Sequence, residues 1–369
     1  MKLMKTTEAV GQVLCHDITQ IIPGVKKDAV FRKGHIITKE DIPVLLSVGK
    51  DTIYIWENDE TMMHENEAAE VLYRMSVCGT NSNEADAEGH CEATQSGDLD
   101  DIVSKMHPSP VKEGKIEVIA DCDGLLKVDS EKLKKVNSFG EMMIATRHGN
   151  TTVKKGDKLA GTRIIPLVIK KDKLEAASHI CDDGPILDIK PFVVRKAAII
   201  TTGNEVYHGR IQDAFTPVIE KKIAEFGAQM MFHDVFDDDD KKITDGCLRA
   251  IEAGAEIVFC TGGMSVDPDD KTPLAIKNTG ARIVSYGSPV LPGAMFLLSY
   301  YDAGDRLVPI CGLPGCAMYN KRTIFDIVLP RLMARDMIYA DELAGLGEGG
   351  LCLNCDVCTF PNCGFGKGF

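Results

Sequence analysis

Three short stretches combine residue types able to hold an anionic ligand together with a divalent cation. The first is Cys260–Asp270, C-T-G-G-M-S-V-D-P-D-D, which follows the apolar run Ile257–Phe259 and leads into Lys271–Ile276, a segment able to start a helix. Two glycines at the end of a buried strand let the backbone turn several N–H groups toward an anion. The carboxylates just behind them can hold a cation over it. The second stretch, Thr202–Gly203–Asn204–Glu205, ends the apolar strand Ala197–Thr201, and the third, Gly312–Leu313–Pro314–Gly315, ends Val308–Cys311. One glycine turn after a strand is ordinary. Three of them need an architecture that gathers strand ends.

The pattern after Pro191 supplies one. The Ala197–Thr201 strand is followed by a helix with Pro217 in its first turn, Ile219, Ile223 and Phe226 on one face and Gly227 as its stop. A strand at Gln229–His233, a helix starting in Asp237–Asp240, the strand Ala255–Cys260 and a last helix presenting Ile324, Ile327, Val328 and Leu332 continue the alternation. This predicts a doubly wound α/β domain, whose ligands lie beyond the carboxyl ends of its strands. Carboxylates in a first helical turn meet its free N–H groups, so Asp237–Asp240 is read as a cap, not a metal site.

Elsewhere the sequence divides into a small α/β or β unit over 1–60, an acidic linker or excursion over 61–110, and a β-rich barrel or sandwich over 111–190. In the last, Lys115–Ala120, Leu125–Val128, Gly140–Thr146 and Arg163–Ile169 are apolar runs separated by turn residues. Asp123–Lys127 is similar to the hairpin that carries a lipoyl or biotin lysine, but Lys127 lies between Leu126 and Val128 and not at a turn tip. His90, Cys91 and His107 are isolated, which is poor ligand spacing.

The 369 residues suffice for two or three domains. A formal net charge of −13 argues against nucleic acid or an anionic membrane as partner. No segment has the roughly 20 apolar residues of a membrane span and no signal-peptide core follows the N-terminus, so a cytoplasmic location is expected. Of 13 cysteines, nine are scattered and read as reduced core thiols. The other four, Cys352, Cys355, Cys358 and Cys363, have the spacing C-x2-C-x2-C-x4-C in a glycine-rich tail over 345–369. Four thiolates so spaced suit a [4Fe-4S] cluster or Zn²⁺, and Gly347–Gly350 suggests a mobile attachment.

The motifs Thr202–Val206, Gly209–Ile211, Thr261–Val266 and Gly312–Gly315 have the order and spacing of the molybdopterin-binding domain, which residues 195–335 resemble. That three-layer α/β domain is shared by molybdopterin molybdenumtransferases, which insert molybdate, and molybdopterin adenylyltransferases. Gly11–Leu14 with Asp17–Ile18, and Lys33–Ile37 with Ile42–Gly49, resemble flanking segments of the insertion class. The resemblance implies that Thr202, Gly203, Thr261, Gly262, Gly263, Ser265, Gly312, Pro314 and Gly315 hold the pterin phosphate. It assigns Asp270, ninth from Gly262, and Glu205 to Mg²⁺ and catalysis, with Asp267 and Asp269 as helpers or helix-start carboxylates. The implied reaction joins adenylylated molybdopterin and molybdate and releases AMP, in a homodimer that serves a molybdoenzyme or another cofactor-biosynthesis protein. Adenylyl transfer, and a non-catalytic carrier or sensor of the pterin or finished cofactor, are the alternatives. Three departures bear on this choice. Leu291–Pro292–Gly293–Ala294 stands where the insertion class has Lys-Pro-Gly-Lys, Cys316 replaces Asn after Gly-Leu-Pro-Gly, and Phe215 replaces Asn after Asp213–Ala214.

Overall fold

The run K-A-A-I-I-T-T at Lys196–Thr202 (β1) is apolar at successive positions, as a strand covered on both faces must be. Ala197 and Ile199 enter one core while Ala198 and Ile200 enter the other. The computed structural model describes residues 2–22, 26–55, 59–79, 105–265, 267–268 and 270–368. After β1 come α1 (Asn204–Tyr207), α2 (Thr216–Ala224), β2 (Gln229–Phe236), α3 (Asp240–Glu252), β3 (Ile257–Thr261) and α4 (Thr272–Asn278). Then follow β4 (Arg282–Tyr286), β5 (Leu297–Asp302), β6 (Leu307–Leu313), α5 (Ile324–Met333) and α6 (Ala340–Gly345).

The strands form one sheet in the order β2-β1-β3-β6-β5-β4. The first four are parallel, and β5 and β4 are antiparallel to their neighbours. Register places Thr201 beside Thr261 and Thr261 beside Leu313. The three glycine-bearing strand ends are therefore adjacent and level. One core packs Phe259 against Phe325, with ring centroids 5.3 Å apart, and the other packs Val258 with Ile243 and Ile276. The Asp239 carboxylate accepts the Lys241 amide at 2.9 Å and that of Lys242 at 3.3 Å, the cap its sequence predicts.

The chain separates into two compact units. The sheet belongs to the second, which comprises Cys122–Lys127, His148–Lys154 and Ile189–Phe369. There Gly124–Leu126 pairs antiparallel with Thr151–Val153. Lys127 is tethered there, donating to Asn150 at 2.7 Å and to Asp336 at 2.8 Å, so it is no swinging arm. The glycine-rich tail also differs from its expected mobility. Leu351 bridges Leu291, Phe365 is only 6% exposed, and Phe360 packs against the same core. Two phenylalanines among the glycines supply the apolar anchor that local composition conceals.

In the first unit, Lys2–Lys5 pairs with Thr52–Ile55, and Ile18–Ile22 with Lys26–Phe31. Leu14, Ile37, Leu45 and Ile53 make a small core. A four-stranded antiparallel sheet orders Met106–Pro108, Lys115–Ala120, Lys158–Ile164 and Met142–Thr146, an open arrangement and not the expected barrel or sandwich. The strand expected at Arg163–Ile169 is split at Pro166, which cannot continue a ladder: Lys158–Ile164 ends before it, and Val168–Lys170 pairs with Met62–His64. Glu65–Val77, inside the expected acidic linker, is a helix that buries Ala68, Ala69, Leu72 and Met75 at helical spacing. Residues 80–104, with His90 and Cys91, lie outside the described ones. His107 bonds Asp121 at 2.7 Å, and Cys78 is disulfide-bonded, so the reduced-thiol reading fails for that cysteine. Among the described residues, no helix is long and apolar enough to cross a membrane.

Candidate functional site

Thr202, at the end of β1, holds the neighbouring loop with its side chain. Its hydroxyl donates to the Thr261 carbonyl at 3.0 Å, and its Oγ1 lies 3.0 Å from that of Thr272 at the start of α4. Gly262 and Gly263 have φ of +83° and +55°, the left-handed region that a side chain rarely adopts. Space makes the same demand. A Cβ on Gly262 would strike the Thr202 carbonyl oxygen, and one on Gly263 would lie 2.8 Å from the Thr272 hydroxyl. The next residue, Met264, is buried against the third loop, where a Cβ on Gly312 would fall 2.5 Å from its sulfur. All three strand ends are thus interlocked by close backbone approach. Thr261 Oγ1 is buried there with no hydrogen-bond partner among the described residues. Such orphaned groups require an explanation, and a ligand or water can supply the missing bond.

The first loop is organised around carboxylates. Glu205 is exposed, and its Oε2 lies 3.3 Å from the position a Gly203 Cβ would take. Its backbone carbonyl accepts the amides of Arg210 at 2.8 Å and Ile211 at 3.3 Å, drawing the Gly209–Ile211 motif back over the loop. Asp213 accepts the hydroxyls of Thr201 at 2.9 Å and Thr216 at 2.6 Å, and the amides of Phe215 and Thr216 at 2.8 and 3.1 Å. Burial pushes its carboxyl upward, but the bonds from Thr216, Thr201 and Phe215 outweigh burial and hold it below the usual carboxylate range.

Asp270 donates its amide to the Asp267 carbonyl at 3.0 Å. Its carboxylate is close enough to Tyr286 to help burial raise that phenol, and the Tyr286 hydroxyl donates to the Met264 carbonyl at 3.3 Å. Ser265 and Gly315 are exposed, Pro314 is buried, and Asp269 lies outside the described residues. Cys316 is half-buried in a 3₁₀ turn, where burial raises its thiol and keeps it neutral. Thr272 and Thr216 are site-forming residues that the motifs do not reveal. Their one sequence signal is the Thr-Pro pair that opens each helix.

Among the described residues, no three His, Cys, Asp or Glu side chains come together as a metal site. For Mg²⁺ the requirement is smaller, since that ion commonly takes one or two carboxylates plus substrate phosphates. Glu205 and Asp270 lie in the segments that follow the adjacent strands β1 and β3. The tail thiols, as placed, do not form a four-ligand centre. Cys352 and Cys363 pack against the apolar core, whereas Cys355 and Cys358 are exposed. Leu291 is exposed and Gly293 is pressed against Ile324, so Leu291–Ala294 keeps a tight turn with no cation in it.

Residues 198–334 match the family model described as "Probable molybdopterin binding domain", and residues 3–57 match a domain of unknown function. The chain is similar to the competence-damage inducible protein of Geobacillus, at 33% identity over 88 residues covering 24% of this chain and 20% of that one. It is 29% identical over 90 residues to the namesake of Bacillus velezensis, covering 24% and 21%. The matched segment thus spans about a fifth of the length of these relatives. Among solved structures, the tungsten cofactor synthesizing protein MoaB of Pyrococcus furiosus is similar at 18% identity and TM-score 0.30, covering 38% of this chain and 89% of that one. The molybdopterin biosynthesis MoeA protein of Pyrococcus horikoshii is similar at 16% identity and TM-score 0.28, covering 50% and 42%. Residues 198–334, which hold most of the second unit's six-stranded sheet, thus resemble a molybdopterin-binding domain in sequence.

Proposed function

We propose that the chain inserts molybdate into adenylylated molybdopterin and releases AMP. The observation that carries this reading is the interlocked edge formed by Thr202, Gly262, Gly263 and Gly312, where three parallel strand ends meet side by side at glycine turns. Such an edge suits the terminal phosphate of the pterin. Ser265 and the amides of Gly262 and Gly263 bind that phosphate, with Gly203, Thr261, Pro314 and Gly315 shaping the walls. Asp270 and Glu205 orient the phosphoanhydride and hold Mg²⁺, which when bound neutralises charge on the departing AMP phosphate. A homodimer and delivery to a molybdoenzyme belong to the same proposal.

The turn at Leu291–Ala294 favours a second reading, since nothing in it grips a dianion: the protein binds pterin or finished cofactor without turnover. Purified protein incubated with adenylylated molybdopterin, Mg²⁺ and molybdate separates the two. Insertion releases AMP and Asp270→Ala abolishes the release, whereas a carrier retains pterin with no AMP formed. AMP attached to the pterin on supplying molybdopterin and ATP would instead establish adenylyl transfer.

A further inference from the structure

A cavity of about 160 Å³ lies between the start of α5, the end of α2 and the tail, sharing no lining residue with the glycine loops. Three cationic side chains line it, Lys222, Arg322 and Lys367, against the two carboxylates Glu225 and Asp326. Asp326 is committed inward: it caps α5 through the Thr323 amide at 2.8 Å while accepting bonds from both Lys222 and Arg322. One carboxylate thus answers two cations. Glu225 is exposed and Lys367 is half-buried, with no hydrogen bond or ion pair among the described residues. Burial lowers the Lys367 ammonium, partly offset by Cys363, the direction expected of a cation lacking a counter-ion. Thr151 and Thr152 add hydroxyls to the wall, and Phe360 lies under the Arg322 guanidinium at 5.0 Å.

We propose that this cavity is a binding site for a tetrahedral oxyanion of the phosphate, sulfate or molybdate class, held by Lys367 and Arg322 and closed on one side by the C-terminal tail. At about 30 Å³ per water the space equals roughly five waters, room for one such ion with part of its hydration. Charge-assisted bonds from a guanidinium and an ammonium suit this geometry. An occupant would tie the tail, through Phe360 and Lys367, to α5 and α2.

Calorimetric titration of the full chain at constant ionic strength, with inorganic phosphate, sulfate and molybdate in separate runs, tests the site. Saturable binding with Kd on the order of millimolar or tighter is expected for at least one of them. Lys367→Gln and Arg322→Gln should each weaken it about tenfold. Lys221→Gln, an exposed neighbour that does not line the cavity, should change it less than about twofold. Hydrogen exchange over residues 360–368 should slow when the ion is present. No saturable binding, or equal weakening in all three variants, overturns the proposal, the latter because it reports only diffuse surface charge.

Discussion

The hydroxyl oxygens of Thr202 and Thr272 lie 3.0 Å apart across 70 residues of chain, with Gly263 fitted against both. This pair ties the end of one strand to the start of the helix that follows the next, and it sets the height of the glycine loop between them. Thr272 Oγ1 also lies 2.8 Å from where a Cβ on Gly263 would go. Replacing Thr272 by Val keeps the volume and removes the bond, at a cost of about 1 kcal/mol. Chemical denaturation should show that loss, and calorimetry should show weaker pterin binding, while Thr272→Ser retains both. Unchanged binding in the Val variant would mean that the loop holds its position without this bond.

Gly262 offers a sharper test because its strain and steric terms add. At φ +83° an alanine occupies the left-handed region, and its Cβ meets the Thr202 carbonyl oxygen. The conformational term alone is about 1–2 kcal/mol, and the collision forces β1 and the loop apart. Gly262→Ala should therefore destabilise the second unit by about 2 kcal/mol or more and abolish pterin binding. Gly254→Ala, at φ +99° in open space, controls for strain without collision and should leave binding intact.

Much of this site is legible in the sequence because it depends on glycine, whose placement at strand ends is local, and on strand runs whose apolar character is local too. Thr272 escapes notice because a threonine before proline is an ordinary helix start, and only the fold brings it to Thr202. The tail escapes for a similar reason. Its glycines and cysteines argue for mobility or a metal, whereas Phe360 and Phe365 find a core made by residues far away in sequence. Helix Glu65–Val77 lies in an acidic stretch, yet its buried positions keep strict helical spacing. Average composition hides that spacing.

Acid stability should depend on Asp336, which is 5% exposed and is held by Arg331 at 2.6 Å, Lys190 at 2.6 Å and Lys127 at 2.8 Å. Burial alone would raise its carboxyl, but Lys127, Lys190 and Arg331 bring it down from 3.8 to about 2. A depressed folded-state value means that the carboxylate stabilises fully above the unfolded value and loses that contribution as pH falls through the folded one. The amount is about 2 kcal/mol, fading between about pH 5 and pH 2. Asp336→Asn should cost about 3 kcal/mol near neutrality, because three cations lose their partner. It should also flatten stability across that acid window, as read from urea midpoints at successive pH values.

The four tail cysteines should separate by reactivity. Cys355 and Cys358 are exposed, and Cys358 is further activated: the Phe360 N–H lowers its thiol pKa, opposed by slight burial and reinforced by the Arg322 guanidinium. The thiolate is the reacting form, so alkylation with iodoacetamide followed by peptide mass spectrometry should label Cys358 first and Cys355 next. Cys352 and Cys363, packed against the core, should lag behind, and buried Cys260 and Cys311 should react only on unfolding. Arg322→Gln should slow Cys358 several-fold while leaving Cys355 unchanged. Equal rates at all four tail positions would show that the tail does not pack as described. If Zn²⁺ or anaerobic iron–sulfur reconstitution protects all four together, Cys352 and Cys363 must leave the core to join a shared centre, and hydrogen exchange at Leu291 and Cys352, whose backbones bond at 2.8 Å, should rise on loading.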